Sequence, residues 1–185
     1  RTEGKKLEIV DIRSEKQPFV LFGVRACDYK AFTVLDNVFL SDPVDTYYKA
    51  RREAGIIFTL ACGKPQESCF CTVFGIDATA PQGDATCWID DDNLYIKANT
   101  EKGEQVLALG KIFEEQTDEK AVEKLNDATK KILDKLPFAH LDISRFKHEN
   151  LNELFNLPVW NELSEACLGC GACTFVCPTC QCFDI

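Results

Sequence analysis

Six of the chain's eleven cysteines fall within sixteen residues, in the run Cys167-Leu-Gly-Cys170-Gly-Ala-Cys173-Thr-Phe-Val-Cys177-Pro178-Thr-Cys180-Gln-Cys182. The first four follow C-x2-C-x2-C-x3-C-P, the spacing with which a short loop holds a [4Fe–4S] cluster. Three thiolates on one tight loop can each reach a different iron of one cubane. Gly169 and Gly171 let the backbone curl round the inorganic core at angles that a Cβ would disfavour. A zinc knuckle and a disulfide cluster are the competing readings, but zinc sites usually space their cysteine pairs further apart. Cys167, Cys170 and Cys173 are therefore expected to ligate one [4Fe–4S] cluster. In two-cluster ferredoxins the fourth cysteine of such a run ligates the other cluster. Cys177 is accordingly expected to serve a second cluster whose own three ligands lie beyond Ile185. Were the chain to end there, Cys177, Cys180 or Cys182 would have to close the first cluster. For Cys180 and Cys182 three roles stand: ligands, a redox-active pair, or small buried hydrophobes.

A second group of thiols is spread through the first half of the chain: Cys27, Cys62, Cys69 and Cys71. The elements around them suggest that they converge. Residues 18–25 (Pro-Phe-Val-Leu-Phe-Gly-Val-Arg) and 56–61 (Ile-Ile-Phe-Thr-Leu-Ala) are nearly continuous apolar runs of strand length, the pattern of buried strands. Between them, Phe32, Leu35 and Phe39 recur at helical spacing after Asp28, and residues 44–54 read as a second, charged helix. Strand, helix and strand in that order predict a βαβ-like unit with parallel strands. Cys27 and Cys62 then stand just past the carboxyl ends of the two strands, the edge at which open α/β sheets place their ligands. Cys69 and Cys71 follow on a loop. The four thiols read equally as ligands of a further iron–sulfur cluster, or as buried structural Cys27 and Cys62 beside a Cys69/Cys71 pair that binds zinc or nothing. Arg25, between Gly23 and Cys27, suits either an ordinary ion pair or a charge that favours a reduced cluster or an anion.

The remaining elements are scaffold. Residues 7–12 form a short apolar segment expected to be a strand, as do residues 73–76. Residues 86–89 and 94–97, joined by Asp90-Asp-Asp-Asn93, predict a hairpin with Cys87 in the core. Two helices follow: one with Val106, Leu109 and Phe113 on one face, the other with Val122, Leu125, Thr129, Ile132 and Leu136, stopped by Pro137. Their many Lys and Glu residues are solvated faces. The only histidines, His140 and His148, lie in a connecting stretch and are expected at the surface or in packing. A helix broken near Pro158 leads into the cysteine loop. The fold class is thus α/β (or α+β) over residues 1–150, followed over residues 151–185 by the first half of a ferredoxin-like module, cut short.

Composition narrows the functions. A net charge of −9 over 185 residues argues against nucleic acid, whose phosphates need a basic surface. No apolar run has the length of a membrane-spanning helix, and no signal peptide is visible. Clustered cysteines with metal-ligand spacing point to a reducing, cytoplasmic setting rather than a secreted disulfide scaffold. The chain has no methionine, even at position 1, which suggests a fragment. It has no G-x-G-x-x-G or P-loop, and no nucleophile elbow.

Four segments together resemble a known family: Gly23-Val-Arg-Ala-Cys27-Asp28; Tyr47-Tyr48-Lys-Ala-Arg-Arg52; Cys62 followed by Ser68-Cys-Phe-Cys71-Thr; and Cys167 through Phe183-Asp184. They look like the iron–sulfur subunit that anaerobic sulfite reductases share with sulfhydrogenases, where it is the β subunit. The resemblance implies an electron-transfer subunit of a cytoplasmic anaerobic complex. It would work between a subunit that binds flavin and NAD(P)H and a catalytic hydrogenase or sulfite/sulfur reductase subunit. It also implies two ferredoxin-type [4Fe–4S] clusters and one more held by Cys27, Cys62, Cys69 and Cys71. The chain departs from the family in lacking the second ferredoxin motif and in having Ala26 where proline is usual. Two other function classes compete: a structural zinc-binding interaction module, and a catalytic chain with substrate at an open iron of the N-terminal cluster.

Overall fold

The computed structural model describes residues 2–3, 6–7, 9, 11, 13, 17–110, 113–115 and 119–180. Two short strands, β1 (Thr2–Glu3) and β2 (Lys6–Leu7), pair antiparallel. Most of the segment expected as a strand at residues 7–12 lies outside the described residues. The main sheet is built from β3 (Phe19–Val24), β4 (Gly55–Leu60), β5 (Ala85–Ile89) and β6 (Leu94–Ala98), in that spatial order. The pairs β3/β4 and β4/β5 are parallel, and β5/β6 is the expected antiparallel hairpin.

Two helices cross from β3 to β4: α1 (Ala26–Phe39) and α2 (Thr46–Ala54). The Asp45 carboxylate accepts the Tyr47 and Tyr48 N–H groups, satisfying two donors that a helix start leaves unpaired. Asp36 of α1 accepts from Tyr48 Oη (2.7 Å) and Arg52 Nε (3.1 Å) of α2, which ties the helices together. The predicted βαβ-like unit is present.

The core sits on the two central strands. Phe58, Ala85 and Cys87 are buried together, and Ile56, Leu60, Ile96, Val106 and Leu107 pack against them. The last two come from α3 (Glu101–Leu109). Side chains alternate across a strand, so Thr86 and Trp88 face the opposite side from Ala85 and Cys87. There Trp88 Nε1 donates to Thr79 O (2.9 Å) and to Asn126 Oδ1 (3.0 Å) of α4 (Lys120–Leu133). Asp84, just before β5, locks the arrangement. Its carboxylate accepts the Ile57 N–H (2.9 Å) and the Thr100 hydroxyl (2.7 Å), and its carbonyl accepts the Asn99 and Thr100 N–H groups. One residue thereby fastens β4, β5 and the start of α3.

Three expectations need correction. β3 is not a buried strand: Val20 is 52% exposed and Phe22 58%. Its continuous apolar run reads as burial on both faces, yet among the described residues β3 is the sheet's edge, with only β4 beside it. Residues 73–76 are not a strand either. Cys71–Phe74 is a 3₁₀ turn, stopped by Gly75 in the left-handed region (φ 64°). Phe113 does not extend the face of α3, which ends at Leu109.

Beyond α4 the chain is thinly packed. It carries α5 (Leu151–Phe155), α6 (Val159–Ser164) and α7 (Ala172–Val176). Leu154 is buried, but residues 158–176 are all exposed. The described residues form the helical approach and the loop, but not a closed ferredoxin-like module.

Candidate metal centre

The turn from β3 into α1 delivers Cys27. Gly23, at φ 84°, shifts the β3/β4 register between Phe22 and Val24, and the helix begins three residues later. Cys27 therefore lies in the first turn of α1, at the carboxyl end of β3. β4 delivers Cys62 in the parallel direction, two residues past Leu60. Its N–H donates to Ala78 O (2.8 Å), and the Ala61 N–H donates to Cys87 O (2.8 Å), so the strand end is anchored on both sides. Cys69 lies on the following loop, where its Sγ accepts the Gln66 N–H (3.3 Å) and its own N–H returns to Gln66 O (2.9 Å). Cys71 opens the 3₁₀ turn.

These four thiols form one electrostatic group. Partial shielding from solvent pushes the Cys71 thiol above its ordinary range, and the neighbouring Cys69 and Cys62 push in the same direction. Cys27 is raised likewise, chiefly by shielding and then by the Asp28 carboxylate, with Cys71 a smaller contributor. Cys71 is thus within electrostatic reach of the other three. The rise comes chiefly from shielding, which disfavours the charged thiolate, and repulsion between neighbouring thiolates adds a smaller part. A bound iron core would reverse the sign, since thiolates ligate it directly.

None of the ten described cysteines forms a disulfide. Among the described residues no three His, Cys, Asp or Glu side chains are gathered tightly enough for a single metal ion. Metal binding itself draws such ligands in, and a single zinc would hold its sulfurs at about 2.3 Å from one centre. A cubane offers four irons at separate corners, so its thiolates stand further apart. The donor set of four thiols, with a backbone N–H on the Cys69 sulfur, fits such a core.

At the other end, the Cys167 N–H donates to Ser164 O (2.9 Å), which starts the loop off α6. Gly169 (φ 64°) and Gly171 (φ 72°) both adopt left-handed backbone, as the motif requires of them. Gly171 then caps α7, with its carbonyl accepting the Phe175 N–H and the Thr174 hydroxyl. Cys167, Cys170 and Cys173 are all exposed on this loop. Cys177 follows α7 and is partly shielded. Its Sγ lies 3.2 Å from Thr179 Oγ1, and the Cys180 N–H returns to Cys177 O (3.1 Å). Hydrogen bonds from the Thr179 hydroxyl, first, and then from Cys180 pull the Cys177 thiol down to about 7. Cys182 lies outside the described residues.

Other candidates resolve simply. Cys87 is fully buried in the core, as expected, and burial pushes its thiol up to about 11. His148 is exposed, and His140 lies 3.7 Å from Asp134 at the surface. Arg25 makes a contact that its place in the sequence does not announce: its Nη1 donates to Ala61 O (3.0 Å), the carbonyl next to Cys62. Nothing in the sequence distinguishes Asp84 from an ordinary turn aspartate. A cavity of about 1680 Å³ lies between the β5/β6 hairpin, α3 and α4, and no cysteine is among its described lining residues.

No family model matches the chain, and no solved structure matches it. It is 34% identical over 188 aligned residues to Sulfhydrogenase 2 subunit beta of Pyrococcus furiosus, an alignment that covers 98% of this chain and 53% of that relative. The chain therefore spans about half the length of the curated relative it matches. No described helix is long and apolar enough to cross a membrane. Identity at that level, across nearly the whole chain, supports the sulfhydrogenase β subunit family over the region they share.

Proposed function

We propose that this chain is the iron–sulfur electron-relay part of a multi-subunit oxidoreductase of hydrogenase or sulfur-reductase type. The observation that carries the reading is that parallel β3 and β4 bring Cys27 and Cys62 to the same edge of the sheet, with Cys69 and Cys71 on the segment that follows β4. The Cys167–Cys170–Cys173 loop, with its two left-handed glycines, is the second site. Each group would hold a [4Fe–4S] cluster, which supplies one-electron chemistry at a potential that the protein tunes. Cys177 would serve a further cluster. The relative's name supports a place beside a catalytic subunit, while a partner that binds flavin and NAD(P)H would feed or drain the relay.

The chain's own residues contribute positioning and shielding. β3 and β4 present Cys27 and Cys62 from rigid elements, and the Gln66 N–H on Cys69 is the kind of hydrogen bond that raises a thiolate-bound centre's potential. The apolar Phe70 and Phe74 rings, 5.9 Å apart, flank Cys71 and would limit water at that site. On the C-terminal loop, Leu168, Phe175 and Val176 are 94%, 82% and 75% exposed, which suits a loop that packs against an inorganic core or a further subunit.

The test is anaerobic reconstitution of the full chain, with iron and acid-labile sulfide analysis and low-temperature EPR of the dithionite-reduced protein. Four irons and four sulfides per occupied site, with an absorption shoulder near about 400 nm, are expected. Stoichiometric zinc with no iron and no visible absorption would overturn the relay and leave a structural zinc module.

A further inference from the structure

We infer that Arg25 is a positioning residue for the N-terminal thiol group, setting the spacing between Cys27 and Cys62 from the joint between β3 and α1. The inference rests on the reading of Cys27, Cys62, Cys69 and Cys71 as one site.

The sheet explains why such a residue is needed. β3 and β4 pair in step from Phe19↔Gly55 to Phe22↔Phe58, then slip at Gly23, with Val24↔Thr59 as the last rung. Beyond it β3 leaves the sheet and becomes helix at Ala26, while β4 runs on to Leu60. The two cysteine-bearing ends therefore lie past the point where backbone pairing holds them together. Arg25 spans that gap. It is the N-cap residue of α1, in extended conformation, and has no capping side-chain bond of its own to make. Instead its guanidinium crosses thirty-six positions of sequence to donate to Ala61 O at 3.0 Å in a partly buried setting. Ala61 is itself 9% exposed and gives its N–H to Cys87 O of β5. One residue thus links β5 through its N–H and the start of α1 through its carbonyl, with Cys62 next in the chain. Charge-assisted hydrogen bonds are roughly twice as strong as neutral ones, so this contact can hold the joint where the ladder has ended.

Arg25 has no carboxylate as its described partner, and only one of its donors makes the described bond. A lysine, a point donor on a long stem, can reach the same carbonyl, whereas a glutamine is too short. That difference makes the role testable. In the apo chain, kept reduced, a short thiol-bridging bis-electrophile should link Cys27 to Cys62. R25Q should slow that bridging about tenfold, the factor that follows from loss of a charge-assisted hydrogen bond, and R25K should restore it. In the reconstituted chain, the EPR signal lost in C62A marks the N-terminal site. R25Q should shift that signal's g values and midpoint potential and speed iron loss to a chelator about tenfold, while the signal of the C-terminal loop stays unchanged.

Unchanged bridging in R25Q overturns the positioning role, whether or not a cluster forms. A shift shared equally by both signals also overturns it, because the effect would then be general destabilisation. Failure of R25K to restore bridging would show that the guanidinium's fork geometry, not charge and reach, decides, and would refute the mechanism stated here. A wild-type chain with no signal that C62A removes would instead sink the cluster reading, with the apo bridging result still deciding the fate of Arg25.

Discussion

Gly103 offers a stability test in which two physical effects pull in opposite directions. It is the third residue of α3, is buried, and lies against Asp84. By helix propensity alone, G103A should stabilise the chain by about 0.8–1 kcal/mol. The packing says otherwise. A Cβ built on Gly103 would lie 2.1 Å from Asp84 O, 2.9 Å from its carbonyl carbon and 3.4 Å from Ala98 Cβ. The carbonyl cannot easily retreat, because it accepts the Asn99 and Thr100 N–H groups, and the Asp84 N–H and carboxylate are both committed to Ile57. Overpacking of this kind costs about 1–3 kcal/mol. Weakening two backbone hydrogen bonds adds about 0.5–1.5 kcal/mol each. After the propensity gain is subtracted, G103A should be destabilised by about 1–5 kcal/mol. Urea unfolding of the reduced apo chain, followed by circular dichroism, reads this as a lower midpoint at unchanged slope. In a thermal scan it appears as a fall of about 2–4 °C for each kcal/mol. An alanine variant as stable as the wild type, or more so, would refute the packing of α3 against the start of β5. It would also refute the Asp84 latch that holds β4 in place behind Cys62.

Two further outcomes concern the thiols of the reduced apo chain. Cys87, fully buried and held up at about 11, should resist iodoacetamide in the native state and react only on unfolding; peptide mass mapping with and without urea checks this. Cys177 should behave in the opposite way. Its thiol is lowered, so the reactive thiolate is present above its midpoint and lost below it, and the alkylation rate should climb through about pH 7. Cys27 and Cys71, whose thiols are raised, should need more alkaline conditions. T179V should move the Cys177 midpoint upward, and an unmoved midpoint would discount the Thr179 contact.

What the sequence made legible was mostly local. The apolar runs of β3 and β4 and the helical spacing of Phe32, Leu35 and Phe39 were enough to place Cys27 and Cys62 at parallel strand ends. The hairpin followed from alternation around Asp90-Asp-Asp-Asn93. The parallel pairing of β4 with β5 had no such signal, because it depends on a 24-residue excursion with little regular structure between Leu60 and Ala85. Whether an apolar run is central or at an edge is likewise a property of its neighbours, which is why β3 read as buried. The cysteine loop is the clearest division. Its spacing and its two glycines predicted the local backbone, since left-handed φ is a one-residue property. Its packing was not legible, since burial of Leu168 or Phe175 requires surfaces that no spacing encodes. Arg25 shows the same limit from the other side. Its type allowed a charge role, but its partner is a backbone carbonyl thirty-six positions away, and a carbonyl leaves no mark in a sequence.

The edge position of β3 also bears on how the chain behaves when handled alone. A strand with one free row of N–H and C=O groups is a template for another strand, and proteins commonly blunt such edges with lysine, proline or a bulge. β3 has Pro18 before its first residue, the Gly23 irregularity near its end, and the Arg51 guanidinium 4.2 Å over the Phe19 ring. Between these guards, Val20, Leu21 and Phe22 stand open with no charge among them. These three are where a second strand would meet the edge. A lysine substituted for Phe22 would give up one ring stack with Phe58 in return for an edge that repels its own copies.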